Sequence, residues 1–260
     1  MKLNRTFRFC ILAASLLISA PSFAAESTSS PPILAKLPGH PEVLSSEPVK
    51  GTNLTAWLLK AGSRMGVVYT GSNGQYLVAG GQILTESGPS NVAQALMTKY
   101  YQTHDFKPLV AALKKAAVIH QGSAGPLIYA FWDPNCIFCH KLWDEIQPAI
   151  KAGKIQVDWV PVGVIKKSSP AKAAAILAAA SPIKAMQLDE NKFIVRTEEG
   201  GIKPMKNVPA KYHQQVVANT ALFQNYGMEG TPSIVYQAGN GQWHVFPGLV
   251  SVDELLKAAH

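Results

Sequence analysis

The chain is short of cysteine, of acidic residues and of long apolar runs, and each shortage removes a class of protein. Three cysteines in 260 residues, Cys10, Cys136 and Cys139, are too few for the disulfide framework that staples small exported domains. Acidic residues number 16 against 24 Lys and Arg, a formal charge of +8. The excess is dispersed, with Lys114-Lys115 and Lys166-Lys167 as its largest clusters. No nucleic-acid motif and no basic stripe interleaved with aromatics accompanies it, so solvated faces explain it and a nucleic-acid partner is not expected. Past the first 24 residues no apolar run is long enough to span a bilayer. There is no internal repeat and no low-complexity domain.

What is present begins with an export pattern. Lys2, Arg5 and Arg8 open positively, Phe9 to Ser19 is apolar but too short to span, and Ser22-Phe23-Ala24 is small-x-small. Together they predict a signal peptide over residues 1–24, cleaved near Ala24, and a bacterial periplasm as the destination. Cleavage removes three positive charges and Cys10, leaving +5 and one cysteine pair. Cys136 and Cys139 enclose only two residues. Closing so short a loop contributes little to stability, so the pair reads as chemical rather than structural.

About 235 residues remain, enough for one large domain or two smaller ones. Residues 25–90 are expected to form a small antiparallel N-terminal domain. Its start, with Pro31, Pro32, Pro38, Pro41 and Pro48 among serines, reads as an extended leader. Strand-like runs follow at Thr55–Leu59, Met65–Thr70, Gln75–Ala79 and Gln82–Thr85, and Gly71-Ser72-Asn73-Gly74 supplies hairpin-loop residues. So small a meander has little core and pairable edges, which suggests a dimer through this domain. Residues 91–122 read as linker helices, one over 91–102 and a second over Pro108 to Ile119, ending at Gly122 to Pro126.

Residues 123–260 read as strand, helix, strand, helical insert, hairpin and helix. Leu127–Trp132 is continuously apolar, as in a strand covered on both faces. A helix follows from near Cys136, bent at Pro148. The strand Ile155–Val162 should lie parallel to the first. Ser169-Pro170 offers an N-cap and first-turn proline to an alanine-rich helix over 171–180. Residues 181–226 read as helices and polar connections. Ser233–Gln237 and Gln242–Phe246 form a hairpin, and Ser251 to Glu254 has capping-box spacing for the last helix. The fold class is α+β, a thioredoxin-like domain with a helical insertion behind a small antiparallel domain and a linker helix.

Cysteines at i and i+3 in a first helical turn lie on one face. Cys136 would sit beside unpaired backbone N–H groups and the positive end of the helix dipole, which favour the thiolate. That makes Cys136 the candidate nucleophile and Cys139, one turn deeper, the candidate resolving thiol. Gly230-Thr231-Pro232-Ser233, a proline after a glycine at a strand start, fits a cis turn at Thr231-Pro232; the likeness to thioredoxin folds implies that this loop faces the cysteines and offers Thr231 and Pro232 to the substrate chain.

Tyr129-Ala130-Phe131-Trp132-Asp133-Pro134-Asn135-Cys136-Ile137-Phe138-Cys139, Val162-Gly163-Val164-Ile165, the stretch from Ser169 to Ala178, and Gly230-Thr231-Pro232 resemble the periplasmic DsbC/DsbG group of disulfide isomerases and reductases, its DsbG branch most closely. The resemblance spans most of the chain past the signal and is weaker across 25–100. It implies a homodimer built by cystatin-like N-terminal domains and two catalytic domains facing a shared cleft. It further implies a DsbD-type membrane reductant, and clients with misoxidised cysteines: wrongly paired disulfides or sulfenic acids on single cysteines. No cofactor is implied beyond the redox-active disulfide Cys136–Cys139, and no metal; His104, His120, His213 and His244 are scattered without ligand spacing.

Three positions depart from the pattern. Ile137-Phe138 stands where DsbG-type proteins usually carry proline and tyrosine. Ala130 stands where thioredoxins keep a buried carboxylate, leaving Asp133 as the nearer acid, read here as a helix cap. His140 completes a formal c-type haem attachment sequence, Cys136 to His140. The rival readings are therefore a haem electron carrier, a monomeric dithiol oxidase, and a chaperone with an apolar cleft. Without haem, His140 is read as a solvent-facing residue of its helix that modestly stabilises the nearby thiolate when protonated, and Trp57, Trp143 and Trp159 as packing residues, with Trp132 beside the site.

Overall fold

The computed structural model describes residues 30–260 except Ser63; the expected signal segment and Cys10 lie outside the described residues. Among the described residues no helix is long and apolar enough to cross a membrane.

Four antiparallel strands form the N-terminal sheet in the order β1 (Glu42–Pro48), β2 (Leu54–Ala61), β3 (Arg64–Gly71) and β4 (Leu77–Ala79). Alternation along β2 builds a core on each face. Ala56 and Leu58 pack with Val49, Tyr69 and Leu96, whereas Trp57 and Leu59 pack with Leu34 of a short 3-10 turn. The buried Trp57 indole donates to the Thr70 hydroxyl at 2.9 Å. β1 corrects the leader reading: six of the seven residues Glu42–Pro48 pair with β2. Its polar sequence and the register shift between Val43 and Ser45 are what an edge strand tolerates, and they hide its periodicity. The fourth expected strand leaves the meander. β5 (Leu84–Thr85) pairs only with β6 (Gly88–Pro89).

Two helices follow, α1 (Val92–Thr103) and α2 (Lys107–Leu113). The second stops six residues before the expected end, because Ile119 opens a further strand, β7 (Ile119–Gln121), paired antiparallel to β9. Tyr101 of α1 donates its hydroxyl to the Gly227 carbonyl at 2.7 Å.

The second sheet has the order β11-β10-β8-β9-β7. β8 (Leu127–Trp132) and β9 (Gln156–Pro161) are parallel, joined by α3 (Ile137–Lys151). β10 (Ser233–Gln237) runs antiparallel to β8, and β11 (Trp243–Phe246) antiparallel to β10. Strand alternation again divides two cores. Ile128, Ala130 and Trp132 face Leu142 and Ile146 of α3 and Leu255 of α7 (Val252–Ala259), while Tyr129 and Phe131 face Leu109, Val110 and Phe223. Both faces of β8 are therefore covered, which is why its sequence is apolar without interruption. Between β9 and β10 lies the helical insertion: α4 (Ser169–Ala178), α5 (Pro182–Asn191) and α6 (Ala210–Asn225). Ser251 caps α7 by accepting from the Glu254 N–H at 3.3 Å.

Candidate functional site

β8 ends against the N-terminus of α3, and Cys136 is the capping residue there. Its backbone is extended (φ −92°, ψ 114°), and its Sγ accepts from the Cys139 N–H at 3.3 Å. The same sulfur donates to the Thr231 carbonyl at 3.1 Å. Both thiols are free; Cys136 is 4% exposed and Cys139 is fully enclosed.

The two sulfurs are electrostatically unequal. The Cys136 thiol is held below its ordinary range by a hydrogen bond from Cys139, against the opposing effect of burial. Thr231 and the N–H groups of Cys139 and Phe138 add to the lowering. Cys139 is pushed well above that range, first by burial and then by the neighbouring Cys136. The arrangement makes Cys136 the thiol that ionises first, while Cys139 keeps its proton.

Thr231-Pro232 is cis, and β10 starts immediately after it. The Thr231 hydroxyl is buried without a protein partner at hydrogen-bond distance, and it favours the thiolate at both cysteines. The structure thus brings Cys136, Cys139, Thr231 and Pro232 into one site.

Several polar residues behind the cysteines escaped the sequence reading. Asp133 does not cap α3. Its Oδ1 accepts from the Asn135 N–H (2.9 Å) and the Ser169 hydroxyl (2.7 Å), and its Oδ2 from the N–H groups of Val164 (2.7 Å) and Ile165 (3.0 Å). Four donors saturate this buried carboxylate, which ties the strand exit to the loop after β9. Ser169 is correspondingly drawn away from capping α4, whose N-cap position is Ser168 without a side-chain bond. Lys172, 4% exposed, donates to Asn135 Oδ1 (2.8 Å), Glu199 Oε2 (2.6 Å) and the Gly200 carbonyl (2.8 Å). Asn135 and Lys172 lie inside the stretches that carried the resemblance, but nothing in their spacing announced the contact.

His140 is half-buried rather than solvent-facing. Its Nδ1 lies 2.8 Å from Glu190 Oε2, its Nε2 3.6 Å from Asp144, and its ring stacks on Phe193. Glu190 also accepts from the Trp132 indole at 2.6 Å. Hydrogen bonding to Glu190 raises the proton affinity of His140 against the effect of burial, and Asp144 and Asp189 add to it. Beside it Asp189 is buried, pushed up to about 7 chiefly by desolvation, with Oδ2 unpartnered and Oδ1 accepting from the Ile202 N–H at 2.8 Å. Glu190 and Asp189 come from the insertion, where the sequence offered no signal. Among the described residues no group of three or more His, Cys, Asp or Glu is arranged to hold a metal.

A thioredoxin-like domain family model matches residues 113–260. The thiol:disulfide interchange protein DsbG of Pseudomonas aeruginosa is 32% identical over 151 residues, 57% of this chain and 57% of that protein. The protein of the same name from Escherichia coli is 30% identical over 181 residues, 67% of this chain and 69% of the relative. The match therefore spans little more than half the length of the first relative and about two thirds of the second. Among solved structures, ScsC from Proteus mirabilis in a compact conformation superposes over 63% of this chain and 83% of its own, with 19% identity and a TM-score of 0.45.

Proposed function

The chain belongs to the thioredoxin-like family and, within it, to the DsbG group of thiol:disulfide interchange proteins; on that premise we propose that it is a periplasmic thiol–disulfide oxidoreductase working through Cys136 and Cys139. The observation that carries the reading is the unequal pair: a thiolate-favouring Cys136 on the helix cap, between the Cys139 N–H and Thr231, above an enclosed Cys139 that keeps its proton.

Exchange then runs in two displacements. The Cys136 thiolate bonds to one sulfur of a client disulfide, the client S–S bond breaks, and the other client sulfur leaves as thiolate. Cys139, once deprotonated, attacks the Cys136 sulfur. The mixed disulfide breaks, the client thiol departs, and two electrons have passed to the client as Cys136–Cys139 closes. If the freed client thiol re-attacks first, the outcome is isomerisation with no net electron transfer. With a sulfenic acid on a single client cysteine, Cys136 displaces the oxygen as water before Cys139 resolves the product. The Thr231 and Pro232 loop orients the client chain against Cys136. Returning Cys136–Cys139 to dithiol needs two electrons, for which a DsbD-type membrane reductant is the proposed source; no other cofactor is required. Residues 25–90 are proposed to join two copies, with clients taken between the catalytic domains.

The haem reading fits the residues poorly. Thioether attachment needs both sulfurs at the surface and a histidine ring free to meet iron. Cys139 is enclosed, and the His140 ring is held by Glu190 and Phe193. Nothing observed favours a chaperone with incidental cysteines.

The test is a trap in the native periplasm with Cys139→Ala, followed by mass spectrometry of disulfide-linked adducts. Reductant-sensitive adducts at Cys136 are expected. Single-cysteine clients would identify sulfenic acid reduction, and multi-cysteine clients isomerisation. Absence of adducts under oxidative stress, with Cys136 exported and accessible, would overturn the exchange mechanism.

A further inference from the structure

The exchange chemistry uses neither His140 nor Glu190, yet the two are bonded to each other within the first turn of the helix that Cys136 caps. Glu190 is 2% exposed, and an isolated carboxylate so deep would be costly. Its two oxygens are taken by the Trp132 indole N–H and the His140 ring. These partners flank the cysteines symmetrically, Trp132 four residues before Cys136 and His140 four after it. One carboxylate from the insertion thus fixes both the strand exit and the first turn of the helix. Phe193 fixes the ring from a second side, with centroids 4.5 Å apart and planes 7° from parallel.

The ring is carried one turn beyond the capping residue Cys136, in the first turn of α3. The His140 N–H closes the first helical bond on the Cys136 carbonyl at 3.0 Å. We infer that Glu190 is a positioning residue for the nucleophile: it holds the His140 ring one turn from Cys136, so that the proton carried by the His140–Glu190 pair favours the thiolate. This rests on the exchange function proposed above and assigns the pair a part in it.

The charges around the ring set the direction. Glu190 and Asp189 face it from α5, and Asp144 from its own helix. All three are acidic and favour imidazolium. While the pair holds its proton it is close to neutral. When the proton leaves, one negative charge remains beside the helix N-terminus and opposes the thiolate there. Cys136 reactivity therefore falls short of the rise that thiol ionisation alone would give once His140 titrates.

The test compares the reduced wild-type protein with Glu190→Gln, His140→Gln, the double variant and His140→Lys. Thiolate absorbance and the rate of Cys136 alkylation are followed against pH, with near-ultraviolet circular dichroism as the folding control. Glu190→Gln should move the second ionisation to lower pH. It should lower Cys136 reactivity, about threefold, only between the two ionisations, where wild type still carries the imidazolium on the cysteines' helix and the variant does not. The double variant should fall no further than His140→Gln. His140→Lys, carrying a cation across the range, should restore reactivity and erase the second ionisation. A folded Glu190→Gln protein with the wild-type pH profile would overturn the inference, as would His140→Lys behaving like His140→Gln. Wild-type protein whose Cys136 exchanges with no disulfide would instead remove the function on which the inference stands.

Discussion

Two buried polar clusters lie behind the same pair of cysteines, and they are built on opposite terms. The first joins Asp133, Asn135, Ser169 and Lys172. The Asp133 carboxylate meets four donors and the Lys172 ammonium three acceptors. The second joins His140, Asp189 and Glu190. One carboxylate oxygen there has no partner, and all three groups hold protons more tightly than usual. A saturated cluster fixes geometry; an undersatisfied one whose groups bind protons more tightly than usual is placed to exchange them. The first cluster shapes the loop that presents Cys136, and the second sets the electrostatic field around it.

That contrast can be broken by substitution. Asp133→Ala should have the largest effect, because it leaves four donors unmet, two of them buried. A loss of about 3–5 kcal/mol is expected in denaturant unfolding. Gly200→Ala tests the seam between the clusters. Gly200 donates to Asn135 and accepts from Lys172, and an added Cβ would fall on the Pro134 carbonyl and the Asp189 carboxylate. About 2–4 kcal/mol should be lost, since backbone on one side cannot yield. Lys172→Met keeps the volume and removes three hydrogen bonds. Because Asn135 retains the Gly200 N–H and Glu199 is partly exposed, a loss of about 2 kcal/mol is expected.

Asp189→Asn should cost least at acid pH and instead change the pH dependence. The folded carboxyl is pushed up to about 7 from its ordinary value of 3.8. Between those values the folded state binds a proton that the unfolded chain has released. The stability it contributes is thus fully present below the unfolded value and lost as pH rises through about 7. His140 and Glu190, also raised, act in the same direction. Melting temperature should fall from pH 5 to pH 8, and Asp189→Asn should flatten that slope by an amount on the order of 2 kcal/mol. An unchanged slope would place the titrating group elsewhere.

The sequence made one side of the site readable and left the other dark, for physical reasons. The strand β8, the helix carrying both cysteines and the turn at Thr231-Pro232 all follow from local pattern: a continuous apolar run, an i, i+3 pair and a Gly-x-Pro entry. The parallel pairing of β8 with β9 follows from the strand–helix–strand order. Lys172 and Glu190 act over separations of 27 to 58 residues and Asp189 over 13, and a lone charged residue carries no mark of whom it will meet. His140 shows the cost. On its own helix it looks solvent-facing, and only α5 and Phe193, brought over by the insertion, bury it. β1 was hidden differently, since an edge strand flanked by prolines needs no apolar alternation to pair.

The most direct test of the account is the order in which the two thiols react. In the reduced wild-type protein, alkylation can be quenched over a range of pH and the modified cysteine read by peptide mass spectrometry. The account predicts that Cys136 is labelled well below the pH at which ordinary thiols react, while Cys139 stays protected until the protein unfolds. Equal labelling of both, or labelling of Cys139 first, would contradict it.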